Sequence, residues 1–230
     1  MRYYLYSFGG CGTHFFRDVV FKNYELNLDR HRRSPLSFSF DSDIPEHKLA
    51  LLEIASKSKP KGWLDKIIKK RKFILNSRLT PINVPSDARG VYLFGNPYNS
   101  IMSMFKRGQN DSDFIETICR MLCVECPKQL LNKKSNLDDF LDVGYDFLKL
   151  EEHFDNWFHN LPNNFIMVKY EGIAESSGII SQFLNIPVNT EKLTRRSSDY
   201  LKLNNSTQEK LRTILGSLNE KICNLPNIYK

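Results

Sequence analysis

The sequence has no apolar run that approaches the ~20 residues a helix needs to cross a bilayer. Residues 1–8 are too short and too polar to form the apolar region of a secretion signal. The chain also lacks internal repeats and low-complexity linkers. These absences predict a cytoplasmic protein without a membrane segment, whose residues 1–230 fold as a single domain with a sizeable core.

Cysteine is scarce, with five residues in the chain, and this odd number without a secretion signal favours free thiols. Cys119, Cys123 and Cys126 lie close together, but no other Cys or His lies close enough in sequence to complete the four ligands of a structural zinc site. We therefore interpret these three residues as small apolar side chains on a helix, and we expect no metal.

Acidic residues are fewer than basic ones, since 26 Asp and Glu against 33 Lys and Arg give a net charge of +7. This balance favours an anionic partner: a nucleotide, an acidic substrate or a nucleic acid. The basic run Lys69–Lys72 is either an anion-binding patch or a solvated helix end, and the second interpretation is favoured. A nucleic-acid partner is not expected, because the sequence has no recognised reader motif and no basic stripe with interleaved aromatics.

Short aromatic and aliphatic runs predict buried strands at 3–8, 90–94 and 165–170, and a further short strand at 38–40. Helical patterns separate these runs. Strands that alternate with helices predict an α/β fold with a central parallel sheet flanked by helices. The predicted helices cover 13–22, 43–55, 62–70, 112–131 with an interruption at Pro127, 175–184, and a last helix that begins at a capping box, Ser206–Glu209.

A glycine-rich loop joins the first strand to the first helix. In an open α/β sheet, ligands bind beyond the carboxyl ends of the strands, and glycines let main-chain amides converge on one anion. The alternative is a tight turn that binds nothing. The loop has no lysine followed by Ser or Thr after its last glycine, which disfavours a kinase or ATPase. The loop residues are Gly9, Gly10, Cys11, Gly12, Thr13 and His14.

Four segments resemble motifs of the sulfotransferase family, in the same order along the chain. Residues 10–14 resemble the loop that binds the 5′-phosphosulfate, which reads Lys/Arg-Ser-Gly-Thr-Thr in the family. Residues 91–103 resemble the segment that binds the 3′-phosphate. In the family this segment is a strand, then Arg-x-Pro, then a helix with a Ser six residues after the Pro. Pro97 and Ser103 match that Pro and that Ser. Residues 167–173 are similar to Arg-Tyr-Glu-Asp-Leu, and residues 180–188 to the following Phe-Leu-Gly-Ile-Pro.

This resemblance covers most of the chain and implies the P-loop NTPase-like sulfotransferase fold. It implies transfer of a sulfuryl group from 3′-phosphoadenosine 5′-phosphosulfate (PAPS), without a metal, to a hydroxyl or amine of a glycan or small molecule. His14 and His31 are then the candidate catalytic residues, with His47 as a second candidate base. Golgi members of the family carry a membrane anchor, so its absence favours a cytosolic protein, or one of viral or microbial origin. The residues implied in donor binding are Gly9, Gly10, Cys11, Gly12, Thr13, His14, Ser103, Arg195 and Arg196.

Two cations of the family pattern are missing. The loop Lys/Arg falls on Gly10, and the 3′-phosphate Arg falls on Gly95. Two hypotheses therefore stand. In the first, the chain is an active enzyme in which other basic residues substitute. In the second, it is a catalytically inactive relative that binds another anion or a protein partner. The candidate substitutes are His14, Arg17, Lys106, Arg107, Arg195 and Arg196.

Overall fold

The computed structural model describes residues 3–24, 26–27, 38–40, 73–75, 88–122, 124–193 and 197–230. Within these ranges the chain forms an α/β structure with two sheets. The predicted helices at 43–55 and 62–70, the basic run Lys69–Lys72 and His47 lie outside the described residues. The strands are β1 (Tyr3–Ser7), β2 (Leu26–Asn27), β3 (Phe38–Phe40), β4 (Phe73–Leu75), β5 (Arg89–Phe94), β6 (Phe165–Lys169) and β7 (Ile228–Tyr229).

The main sheet has five strands in the order β2-β1-β5-β6-β7. β1 pairs in parallel with both β2 and β5, and β5 pairs in parallel with β6. The predicted parallel sheet is thus confirmed for four strands, whereas β7 pairs antiparallel with β6. β3 and β4 form a separate antiparallel pair, and the short strand expected at 38–40 is confirmed.

Helices flank the main sheet, and the described residues contain helices at three of the predicted places: 13–20, 177–184 and the last part of the chain. The pattern at 112–131 is divided, because a helix ends at Leu122 and a single 3₁₀ turn, Lys128–Leu130, follows Pro127. The first helix changes to π-helical geometry after its first three residues, over Phe16–Val20. The helices are α1 (Thr13–Phe15), α2 (Pro97–Gly108), α3 (Phe114–Leu122), α4 (Leu137–Val143), α5 (Leu150–His159), α6 (Ser177–Leu184) and α7 (Asn205–Cys223).

The start of α7 differs from the sequence prediction. The side chain of Asn204 caps the helix by accepting a hydrogen bond from the Thr207 N–H at 2.8 Å. The capping box expected at Ser206 is therefore wrong by two residues. Asn and Ser are both preferred at this position, so the order of the polar residues alone does not decide which one caps the helix.

One part of the core lies between the sheet and α5, where aromatic rings pack against one another. The ring of Trp157 lies 4.7 Å from Tyr6 on β1 and 4.9 Å from Tyr92 on β5, measured between centroids. All three side chains are almost fully buried. A hydrogen bond of 2.9 Å joins the Tyr92 hydroxyl to His153 Nδ1, one helical turn before Trp157. These contacts fix α5 against the two central strands, whose carboxyl ends carry the candidate site. No helix in the described ranges is both long and apolar enough to span a membrane.

Candidate functional site

The loop after β1 depends on glycine at two positions. Gly10 and Gly12 have φ angles of +66° and +79°, in the left-handed region that side chains rarely adopt. A Cβ atom on Gly10 would lie 2.9 Å from the main-chain Cα and O of Ser100. A Cβ atom on Gly12 would lie 2.7 Å from the Tyr170 ring. Both positions therefore combine an unusual backbone conformation with a close neighbour.

Side chains within the loop hold its shape. The Ser7 hydroxyl accepts hydrogen bonds from the Gly9 N–H at 2.7 Å and from Thr13 Oγ1 at 3.4 Å. The buried Cys11 thiol donates to the Gly9 carbonyl at 2.9 Å and lies 3.2 Å from the Ser100 hydroxyl. The loop is thus preorganised by protein contacts alone.

Two main-chain donors of this loop are available to a ligand. The N–H groups of Gly12 and Thr13 form no hydrogen bond with any residue that the structure describes. The Gly12 carbonyl already accepts from the Phe16 N–H at 3.2 Å, which starts the helical turn. Polar groups at such a position require a hydrogen-bond partner, which water or an anion supplies.

Helix α2 forms the second wall of the site. It begins at Asn96, whose side chain accepts from the Asn99 N–H at 3.0 Å, with Pro97 in the first turn. Ser103 and Arg107 lie four residues apart and therefore on the same face of this helix. Both line a cavity of about 410 Å³ that extends to the glycine loop.

The other walls of this cavity come from the carboxyl end of β6 and from the segment before α7. Tyr170, directly after β6, packs its ring over Gly12 and lines the cavity. Lys192, Ser197 and Ser198 contribute from the later segment. That segment is attached to α2, because Asn99 Oδ1 accepts from the Tyr200 N–H at 2.8 Å.

The cavity brings together most of the residues expected from sequence. Gly10, Cys11, Gly12, Thr13, His14 and Ser103 line it, whereas Gly9 contributes through its contacts within the loop. His31, Arg195 and Arg196 lie outside the described residues, although Leu193 and Ser197 on either side of the last two line the cavity. Sequence reasoning missed Tyr170 and Lys192 as wall residues. The position of Tyr170 at the end of a predicted strand was the available signal.

Positive charge dominates the cavity wall. Arg107 and Lys192 form no ion pair with any other residue in the described part of the chain. Asp18 also lines the cavity, but Arg17 binds its two carboxylate oxygens at 2.5 Å each. The hydrogen bonds from Arg17 lower the pKa of Asp18, so this carboxylate is charged and already neutralised by its neighbour. The remaining cations give the cavity an attraction for anions.

The position of the second missing cation has a different environment. A Cβ atom on Gly95 would lie 2.8 Å from Glu171 Oε2, and Glu171 Oε1 accepts from the Asn96 N–H at 3.1 Å. A carboxylate thus lies next to Gly95, the position at which the sequence resemblance expects an arginine. Arg107 and Lys192 are the exposed lysine and arginine side chains among the described cavity residues.

Comparisons of this chain with protein-family models, with curated proteins and with solved structures find no match. The features of the molecule that indicate a function are therefore the cavity at the carboxyl edge of the sheet and the chemical character of its walls.

Proposed function

We propose that this chain is a sulfotransferase-like protein that binds PAPS in the cavity and transfers its sulfuryl group to a hydroxyl or amine acceptor. The supporting observation is that segments far apart in the chain meet at the same cavity. Three of the four segments that resemble family motifs contribute to one cavity, through the loop 10–14, Ser103 and Tyr170. Segments far apart in sequence have no reason to meet at one site unless the fold brings their strand ends together.

The residues present fit such a donor. A volume of about 410 Å³ lies within the range of about 300–1,000 Å³ that is common for small-molecule sites. The loop offers the N–H groups of Gly12 and Thr13 to the 5′-phosphosulfate. On the wall formed by α2, Ser103 and Arg107 offer a hydroxyl and a guanidinium to the 3′-phosphate. A guanidinium binds phosphate oxygens in a bidentate manner, which suits this role.

PAPS supplies the activated sulfuryl group, and the transfer leaves additional negative charge on the 5′-phosphate of the product. The protein's contribution is to offset that charge with fixed donors and to exclude water. The loop amides, Arg107 and Lys192 provide positive charge in the proposed site. Asp18 is poorly suited to be the general base for the acceptor, because its hydrogen bonds with Arg17 lower its pKa and make the carboxylate a weak base.

The direct test is isothermal titration of the folded protein with 3′-phosphoadenosine 5′-phosphate, the product of the donor. We expect saturable binding at one site, which weakens as salt concentration rises because the contacts are ionic. The absence of heat at millimolar ligand, with circular dichroism showing folded protein, would contradict the proposal. Adenosine 5′-monophosphate, which lacks the 3′-phosphate, is the matched control ligand and is expected to bind more weakly.

One observation favours the alternative of an inactive relative that binds another anion or a protein partner. A Cβ atom on Gly10 would lie 2.9 Å from the main chain of Ser100, so the family's lysine at this position would require the main chain of α2 to shift. Release of 3′-phosphoadenosine 5′-phosphate from PAPS, measured with a panel of hydroxyl and amine acceptors, separates the two. Acceptor-dependent release excludes the inactive alternative, whereas product binding without release from PAPS supports it.

A further inference from the structure

Two cysteines are brought together where helix α3 ends. The helix includes Cys119 and ends at Leu122, after which the chain turns. The Val124 N–H donates to the Cys119 carbonyl at 2.9 Å, and this hydrogen bond closes the turn. Cys126 follows two residues later and lies outside the helix. The interpretation of the neighbouring cysteines as helical side chains is therefore wrong for Cys126.

The thiols of these two cysteines contact each other. The Cys119 S–H donates a hydrogen bond to the sulfur of Cys126. Cys119 is almost fully buried in the core, whereas Cys126 is half-buried and packs against the same core. Both are free thiols. Cys126 is therefore the thiol of this pair that a reagent from solvent reaches more easily.

This arrangement favours a bond between the two sulfur atoms. A disulfide requires that the two side chains point towards each other, and a hydrogen bond between thiols meets that condition. Once Cys126 has reacted with an external disulfide, Cys119 is already beside it. The second step is then intramolecular, so that Cys119 acts at a high effective concentration.

We propose that Cys119 and Cys126 form a redox site that closes to a disulfide on reaction with a low-molecular-weight disulfide such as oxidised glutathione. The Cys126 thiolate attacks one sulfur of oxidised glutathione, which forms a mixed disulfide and releases one glutathione thiolate. Cys119 then loses its proton and attacks the Cys126 sulfur, and the bond to the second glutathione breaks. The protein thiols give up two electrons and two protons, and oxidised glutathione becomes two molecules of reduced glutathione.

The surroundings of the pair determine how fast this reaction proceeds. Burial raises the pKa of both thiols, and the carboxylate of Glu116 raises them further. At Cys126 the hydrogen bond from Cys119 acts in the opposite direction but does not cancel the effect of burial. Because the thiolate is the form that attacks, the rate should increase as the pH rises above neutrality. Mildly alkaline buffer is therefore the condition for the test.

The bond is detected by peptide mapping, because trypsin separates the two cysteines. Digestion leaves Cys119 in peptide 108–120 and Cys126 in peptide 121–128. The reduced, folded protein is equilibrated with millimolar glutathione buffer, quenched, blocked with N-ethylmaleimide and digested. Mass spectrometry should find the two peptides joined through Cys126. We expect this product to exceed the mixed disulfide of Cys126 with glutathione by about tenfold or more.

Cysteine variants assign the bond to this pair. Cys126→Ser should abolish the joined peptides. Cys223→Ser removes an exposed thiol on α7, is the matched control and should leave them unchanged. Cys123→Ser should also retain them, although Cys123 belongs to the same tryptic peptide as Cys126. Joined peptides that persist in Cys126→Ser, or that disappear in Cys123→Ser, would overturn the assignment.

The wild type alone provides a second measurement, which keeps the proposal testable if a variant does not fold. Oxidation should raise the Tm by about 5 °C or more, because the bond restricts the unfolded chain, and dithiothreitol should reverse the shift. A disulfide that forms without raising the Tm would show that the native contact does not accommodate it. Peptides 108–120 and 121–128 that remain unjoined when Cys223 is fully glutathionylated would refute the redox site. Neither result depends on the proposed function.

Discussion

The carbonyl oxygen of Ser100 lies 2.9 Å from the position that a Cβ atom on Gly10 would occupy. These residues belong to two different strand–helix junctions, and the contact joins the loop after β1 to the first turn of α2. A side chain at residue 10 is therefore opposed by the packing of a second element and not by the loop alone. The approach of α2 leaves this part of the loop as main chain, and it places Ser103 and Arg107 at the cavity.

The first prediction concerns this contact. Gly10→Lys should not create a sulfotransferase loop, because its Cβ atom already collides with main chain. We expect Gly10→Ala to lower the free energy of unfolding by about 3 kcal/mol or more, from backbone strain and overpacking together. Gly144→Ala is the matched control, since its φ of +79° lies in the same left-handed region as the +66° of Gly10 but no atom lies within 4 Å, and strain alone should cost about 1 kcal/mol. Equal losses in urea unfolding would show that the contact with Ser100 has no energetic weight.

The second prediction concerns the two neighbouring cations at the end of α2. Arg107 lines the cavity, whereas Lys106 is exposed and does not. Arg107→Met should weaken binding of 3′-phosphoadenosine 5′-phosphate about tenfold or more, as expected for a charge-assisted hydrogen bond. Lys106→Met removes the same charge from the next residue and should change binding much less. Equal weakening of both variants by calorimetry would indicate a general effect of net charge and would contradict a specific contact.

The third prediction concerns the pH dependence of stability at Asp146. Its Oδ2 accepts from the Glu151 N–H at 3.2 Å, while its buried Oδ1 has no partner in the described structure. Burial raises the pKa of Asp146 to about 6 from its ordinary value of 3.8. The folded state therefore binds this proton more tightly than the unfolded state, and the cost of the charged form is fully present above pH 6.

It follows that this group stabilises the fold increasingly as the pH falls from about 6 towards 4, by at most about 3 kcal/mol. Asp146→Asn cannot titrate, so the stability of the wild type relative to this variant should rise over that interval. Urea unfolding of both proteins at pH 7, 6, 5 and 4 measures the difference and cancels the contribution of other carboxylates. A difference that is constant from pH 7 to 4 would contradict the buried, protonated state.

The fourth prediction concerns the hydrogen bond between Tyr92 and His153 in the core. Burial raises the pKa of Tyr92 well above its ordinary value, so its hydroxyl stays protonated. Tyr92→Phe keeps the ring against Trp157 and removes only the 2.9 Å hydrogen bond, and we expect a loss of about 1–3 kcal/mol. Tyr145→Phe, at a side chain that is 59% exposed, is the control and should be neutral. A neutral Tyr92→Phe would show that the hydrogen bond has no net weight.

The central strands were predictable because their signals are local. β1, β5 and β6 are short apolar runs in which almost every residue is buried. The two-residue strand β7 has no such pattern, so neither its existence nor its antiparallel direction could be predicted from the sequence. Similarly, the helical pattern at 13–22 predicted a helix, but apolar spacing does not distinguish the π-helical hydrogen bonds over Phe16–Val20 from α-helical ones.

The candidate site was predictable to the extent that it lies at strand ends. The glycines after β1 and the Ser103 position were found from sequence, and the structure brings them to one cavity. The contact between Gly10 and Ser100 joins residues far apart in the chain and depends on how α2 packs on the sheet. The hydrogen bond from Arg17 to His14 joins residues three apart in the chain. The sequence spacing shows that such residues share a helix face, but it does not predict which way an exposed side chain points.

The antiparallel strand β7 has a consequence for association. The Lys169 N–H donates to the Asn227 carbonyl at 2.8 Å, and Lys169 Nζ donates to the Leu225 carbonyl at 2.9 Å. These bonds occupy the border of β6 that would otherwise present a row of unsatisfied backbone groups. The chain thus covers this edge of β6 with its own residues, and an extended peptide or a second molecule can pair with β6 only after displacing residues 225–229.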